Sequence, residues 1–192
     1  MANFIHPTAI IGENVKALNV DIAIAKLPSS TDELLSAAYN DKLTVNEKIT
    51  EQVGVVGEKL DLSAYEVVRA ESVVAYNHPG NRTAAILAVN VATEVEVVKN
   101  IAMQIAAMNP VSIDKADCPQ SVIEKEIEIA KDQLRQEGKP EAMLDNIAKG
   151  KIKRFFKDNT LVNQDYIKDN KVSVAAYVKS AGNAEVTAFA RV

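Results

Sequence analysis

From Ile123 the apolar residues recur at Ile127, Ala130 and Leu134, spaced 4, 3 and 4 apart, while the positions between are mostly Glu, Lys, Asp and Gln. This is the a and d spacing of a coiled-coil seam, an apolar stripe too narrow for a helix buried in a globular core. Such a helix needs one partner helix and little else. Gly138-Lys139-Pro140 supplies the turn: Gly takes a left-handed cap, and Pro is tolerated in the first turn of the next helix. Ser121 with Glu124 has the capping-box spacing that opens the first helix, and Met143, Ile147 and Ala148 are expected to answer from the second. Charged on its outer faces, the pair at about 121–157 should project from the body of the protein.

The body must be built from what remains. Of 192 residues, 47% are hydrophobic and 25% charged, with a formal net charge of -4, the mixture of a soluble globular protein. The length suits one domain of about 150 residues plus an appendage, or two small lobes. With 5% aromatics and no Trp, the core must be Val, Ile, Leu and Ala. No apolar run reaches the roughly 18 residues that span a bilayer. Met1 to Ile10 has neither the basic flank nor the apolar stretch of a secretory signal, so a cytoplasmic protein without a membrane partner is expected. One cysteine, Cys118, forms no internal disulfide, and with two histidines it builds no closed zinc site. No metal and no cofactor is expected. The mild acidity argues against a dedicated nucleic-acid binder.

Period and caps order the chain. Residues 10–25 hold enough apolar residues for a short helix. Ser30 with Glu33 starts a helix expected to reach Tyr39; Thr44 with Glu47 starts another, carrying Val45, Ile49 and Val53 and stopping at Gly54. Leu60, Leu62 and Ala64 then alternate with polar residues, which reads as a strand over Leu60 to Arg69. Val73 to Tyr76 and Thr83 to Val89 should pair as an antiparallel hairpin around Asn77-His78-Pro79-Gly80-Asn81-Arg82. Thr93 with Glu96 is expected to cap a helix bearing Val95, Val98, Ala102, Ile105 and Ala106, ending before Asn109-Pro110. A helix near Ser173 to Lys179 and a strand Ala184 to Val192, joining the hairpin in one sheet, complete the reading. The fold class is α+β: small antiparallel sheets packed with helices, plus a projecting antiparallel helical hairpin.

Chemistry is sparse. There is no phosphate loop, no G-x-S-x-G elbow and no H-E-x-x-H pair, so no catalytic residue is assigned and an enzyme is not expected. Cys118, beside Pro119, reads as an incidental free thiol. Asn81-Arg82-Thr83 fits the glycosylation pattern but has no signal peptide to give it meaning. Lys149, Lys151, Lys153, Arg154 and Lys157 read as a salt-bridged helix face balanced by the preceding glutamates, not as an RNA patch. Phe155-Phe156 should anchor the returning helix. His78, at a hairpin tip, is either a bystander or a contact for another protein.

Several segments together resemble one family, translation elongation factor Ts. They are Leu43-Thr-Val-Asn-Glu-Lys-Ile-Thr-Glu-Gln-Val-Gly54 with Gly57-Glu58-Lys59, Tyr76-Asn77-His78, and Ile101-Ala-Met-Gln-Ile-Ala-Ala-Met-Asn-Pro110. Val122-Ile-Glu-Lys-Glu126, Glu137-Gly-Lys-Pro140, Gly150-Lys-Ile-Lys-Arg-Phe-Phe156 and Glu185-Val-Thr-Ala-Phe-Ala-Arg191 continue the match over about residues 41 to 192. The resemblance implies two α/β subdomains, each with a three-stranded antiparallel sheet, and a coiled coil projecting from the second. Here that assigns 1–70 to an incomplete N-terminal core subdomain and 71–192 to the C-terminal one, with the insertion at about 121–157. It implies a partner, elongation factor Tu in its GDP-bound or nucleotide-free form. The matching partner-binding positions are His78 and Val56, with Gly57, Tyr76, Asn77 and Gly80 around them.

Two departures bear on activity. The family's first helical domain and its Thr-Asp-Phe-Val motif are absent from these 192 residues, and Ala2-Asn3-Phe4 looks like sequence just beyond that motif. The chain therefore reads as an internal start, an engineered fragment or a truncated copy, whose strand at Leu60 to Arg69 lacks neighbours. An uncovered edge is a template for another chain, so a homodimer is among the expectations. A core that binds elongation factor Tu but catalyses GDP release poorly is the leading expectation; a non-exchanging interaction or self-association module is the alternative.

Overall fold

The computed structural model describes residues 28–62, 65–80 and 82–192; the helix expected at 10–25 lies outside them. Local hydrogen bonds set the first two helices. In α1 (Thr31–Ser36) the Ser30 hydroxyl accepts the Glu33 N–H at 3.1 Å, while the Glu33 carboxylate turns to Ser29. In α2 (Val45–Val56) the box is reciprocal: the Thr44 hydroxyl accepts the Glu47 N–H at 3.2 Å, and the Glu47 carboxylate accepts the Thr44 N–H at 2.7 Å.

Both helices end elsewhere than expected. α1 stops at Ser36, short of Tyr39, because Ala38 pairs with Thr44 and the Ala37 carbonyl accepts the Val45 N–H at 2.9 Å. α2 runs through Gly54, since a glycine inside a helix costs only about 1 kcal/mol, and stops where Gly57 takes a left-handed φ of 76°.

The strand expected at Leu60 to Arg69 is absent: none of its described residues is in a strand. Its apolar residues serve two different clusters. Leu62 and Tyr65 pack with Leu34 and Val45 of the helix pair, whereas Val68, with Ala70 just beyond the expected strand, lies against the sheet. Alternation satisfied one residue at a time leaves no ladder, and the homodimer expected from a free edge here has no such edge to rest on among the described residues.

The hairpin strands β1 (Ser72–Asn77) and β2 (Ala84–Val89) pair antiparallel. α3 (Val95–Met108) follows, then α4 (Gln120–Gln136) and α5 (Glu141–Asn159), the short strands β3 (Asp165–Tyr166) and β4 (Asp169–Ser173), α6 (Val174–Ser180) and finally β5 (Val186–Arg191). The order β1-β2-β5 puts Ala84-Ala-Ile-Leu-Ala-Val89, a run with no polar alternate, in the centre, buried at every position. One face of β2 presents Ala85, Leu87 and Val89 to Val98, Ile101, Ala102 and Ile105 of α3; the other presents Ile86 and Ala88 beside Val73, Ala188 and Ala190.

Two expected caps do not form. The Thr93 N–H donates to the Ser72 hydroxyl and the Thr93 hydroxyl to the Val91 carbonyl, both at 3.0 Å, so Thr93 ties α3 to β1 instead of capping it. α4 starts one residue before Ser121, leaving Ser121 inside the first turn with Pro119 at the cap position. At the other end α3 stops at Asn109, with φ 46°, before Pro110.

α4 and α5 form the expected antiparallel pair. At the turn, the Lys139 N–H reaches the Leu134 carbonyl at 3.0 Å and the Gly138 N–H the Arg135 carbonyl at 2.9 Å, a Schellman cap around Gly138 at φ 72°. Ala130 and Leu134 are buried on α4, Leu144 and Ala148 on α5. Met143 is 52% exposed: the seam of α5 runs one residue later than expected, through Leu144. Lys131–Asp145 and Arg135–Glu141, each at 2.9 Å, bridge the helices in solvent and contribute more to register than to stability. The root is clamped by backbone bonds: Val111 N–H to the Asn159 carbonyl at 2.8 Å, and Leu161 N–H to the Ser112 carbonyl at 2.9 Å.

Candidate partner-binding surface

His78 is placed by the hairpin beneath it. Register pairs Tyr76 with Ala85 and Asn77 with Ala84, and the His78 N–H donates to the Thr83 carbonyl at 2.9 Å, closing the ladder one rung past the strands. Pro79 fixes one turn angle and Gly80 takes a φ of 92°, a conformation that side chains other than glycine resist. The His78 ring is exposed, yet tied: the Tyr76 hydroxyl lies 2.9 Å from its Nδ1, and the two rings meet edge-on with centroids 6.0 Å apart. Tyr76 itself packs on the main core.

Val56 and Gly57 sit elsewhere in the packing scheme, at the end of a helix that belongs to the cluster of Leu34 and Val45. Val56 is 43% exposed, and the sequence reading missed its neighbour Val55, which is 74% exposed. Val55 falls outside the Val45, Ile49, Val53 stripe and therefore on the open side of α2; that periodicity was the available signal. Tyr76, Asn77, His78 and Gly80 thus share one hairpin tip, while Val56 and Gly57 share a helix end.

A second polar construction lies inside the lobe, with no local pattern that announces it. Gln104, fully buried, donates to Gln164 at 3.1 Å and to the Asp165 carbonyl at 3.0 Å, and accepts the Ile167 N–H at 2.9 Å. Asn100 donates to the Tyr177 hydroxyl at 3.0 Å and accepts from Lys168 at 2.8 Å, and the rings of Tyr177 and Tyr166 stack. Burial, followed by the hydrogen bond with Tyr177, pushes the Tyr166 hydroxyl well above the usual range. Every one of these groups has a structural partner.

Among the described residues no group of three or more His, Cys, Asp or Glu could hold a metal ion, and no helix is long and apolar enough to cross a membrane. Cys118 is buried. In the basic cluster Lys151 meets Gln133 and Glu137, Arg154 meets Asp158, and Lys157 meets Asp165.

These features define an α+β protein whose distinctive surfaces are a rigid hairpin tip, an exposed apolar helix end and a projecting helical hairpin. Residues 8–192 match the family described as Elongation factor TS. Elongation factor Ts of Christiangramia forsetii is 52% identical over 181 residues, 93% of this chain and 66% of that protein. The same factor of Flavobacterium psychrophilum is 46% identical over 190 residues, covering 96% and 69%, and that of Thermobifida fusca 40% over 159 residues, covering 81% and 57%. The chain belongs to the elongation factor Ts family, a family of translation elongation factors, and spans about two thirds of the length of the first two relatives.

Proposed function

We propose that this chain binds elongation factor Tu, GDP-bound or nucleotide-free, through the hairpin tip at His78 and the helix end at Val56 and Gly57. It acts in the cytoplasm as a guanine-nucleotide exchange factor, without covalent chemistry, cofactor or nucleic acid. The observation that carries the reading is the display of His78: an exposed ring on a closed turn, fixed by backbone and side chain, in a chain matching the family from residue 8 to 192. A side chain ordered before binding loses less entropy on contact, which suits an interface residue.

Exchange is then a linkage effect. A factor that binds better to the conformation holding nucleotide poorly speeds its loss, and nucleotide reciprocally weakens the factor. The 192 residues contain no Thr-Asp-Phe-Val, so a polypeptide of these residues alone should bind more effectively than it exchanges. The separate packing clusters support a division close to the one between 1–70 and 71–192, with Val68 and Ala70 already packed on the sheet of the second part and the helical hairpin inserted in it. The ion pairs on α5 support a solvated face over a nucleic-acid surface.

Stopped-flow release of a fluorescent GDP from elongation factor Tu tests this. The chain should accelerate release, but far less than a complete factor. Binding without any acceleration would favour a pure interaction module, and acceleration at the complete factor's rate would make the absent motif dispensable.

A further inference from the structure

We propose that Tyr76 is a positioning residue for His78. Its hydroxyl, donating to Nδ1, holds the ring in one rotamer and in the tautomer that carries the proton on Nε2. The hairpin tip then offers a hydrogen-bond donor to an acceptor oxygen on the partner. The inference rests on the reading that His78 faces elongation factor Tu.

The geometry begins with strand parity. Residues two apart project from the same side of a strand, so Tyr76 shares with Val74 the side that packs on the main core, and His78, one position past the strand, continues that side into solvent. The oxygen-to-nitrogen separation of 2.9 Å is that of a full hydrogen bond, and the edge-on rings leave the phenol aimed at one imidazole nitrogen. Tyr76 can hold because it is itself held: Val74 and Tyr76 pack on the core, and Ala85, opposite Tyr76 in register, is fully buried. The His78 backbone is pinned by its bond to Thr83 at 2.9 Å. An exposed ring is thereby fixed at both ends.

The tautomer follows from donor and acceptor strengths. A neutral imidazole has one N–H and one bare nitrogen. A phenol hydroxyl donates more strongly than it accepts, and a bare imidazole nitrogen is a better acceptor than a phenol oxygen. The favoured pairing puts the Tyr76 proton on the Nδ1 side and leaves Nε2 protonated. Without the hydroxyl, both tautomers and several rotamers become accessible, and the partner must select one of them on binding.

Two measurements on the 192-residue chain test the proposal. The first is a side-chain nitrogen–proton correlation spectrum of the free protein, recorded along a pH series to its alkaline plateau so that the neutral ring is observed. His78→Ala separates its signals from those of His6. A bare Nδ1 and a protonated Nε2 are expected, with Tyr76→Phe giving mixed tautomers; a mixture or the opposite tautomer in the parent overturns the proposal. The second is titration of nucleotide-free elongation factor Tu with the parent, Tyr76→Phe, His78→Ala and the double variant.

We expect His78→Ala to weaken binding about ten-fold and Tyr76→Phe about three-fold, with no further loss from Tyr76→Phe once His78 is gone. A silent Tyr76→Phe beside a weakened His78→Ala removes the positioning role and spares the interface. An equal loss from Tyr76→Phe in both backgrounds shows that Tyr76 makes its own contact, which also overturns positioning. A silent His78→Ala, or no binding by the parent, overturns the interface reading and this inference with it, whatever the spectrum shows.

Discussion

The lobe around β2 and the hairpin of α4 and α5 are stabilised by opposite means. In the lobe, a strand buried on both faces packs one side into the cluster of α3 and α6 and the other against Val73, Ala188 and Ala190, and the buried amide side chains of Gln104 and Gln164 have hydrogen-bond partners. The hairpin buries two residues on each helix and relies on a capped turn, exposed ion pairs and a backbone clamp at its root. Thick packing makes every contact depend on the others; a thin seam lets one end open while the rest holds. The lobe should therefore unfold as a unit, whereas the hairpin can fray without it.

Substitutions should expose that contrast, beginning with the largest effect. Ile101→Ala, at a fully buried position on α3, should cost about 3 to 4 kcal/mol in denaturant unfolding and lower the stability of all elements of the lobe together. Gln104→Leu should cost about 2 to 3 kcal/mol, because it removes the partner of the buried Gln164 amide oxygen and of the part-buried Ile167 N–H and Asp165 carbonyl. Leu134→Ala should cost about 2 kcal/mol and appear chiefly as faster amide exchange in α4 and α5, leaving exchange in β2 unchanged. Replacing 121–157 by a short Gly-Ser linker should likewise leave a cooperatively folded lobe; loss of cooperative unfolding would show that the two regions are one.

Much of this architecture was legible because it depends on period. The 4, 3, 4 seam, the unbroken apolar run at 84–89 and the Pro-Gly turn each report burial or backbone geometry through neighbouring residues alone. What escaped depends on the start of an element or on distant partners. Leu144, not Met143, lies in the seam because a one-residue shift in register exchanges faces. Ser121 and Thr93 have the same spacing to a glutamate as Thr44, yet only Thr44 occupies the cap position: Ser121 falls inside its helix and Thr93 one residue before the cap. Gln104 bonds to residues about sixty positions away, and nothing near it announces that. At the hairpin tip His78 was readable from the turn, whereas the Tyr76 link required two rotamers, and Val55 required the face of α2.

The smallest effect belongs to the N-terminal helices. Thr44→Ala should cost about 1 kcal/mol, confined to the cluster of Leu34 and Val45. The Glu47 carboxyl is held below its usual range by the Thr44 N–H and then by its hydroxyl. A carboxyl lowered on folding stabilises above its unfolded pKa, and that share is lost as pH falls through the lowered value. Helix content at 45–56 should therefore decline on acidification in the parent and change less in Thr44→Ala.

The central claim is that the hairpin tip and the helix end face elongation factor Tu. Amide hydrogen exchange of this chain, with and without nucleotide-free elongation factor Tu, reads both places at once. Slowed exchange at 76–80 and at 53–57 on adding the partner is the predicted result. Unchanged exchange at both, with protection appearing elsewhere in the chain, would contradict it.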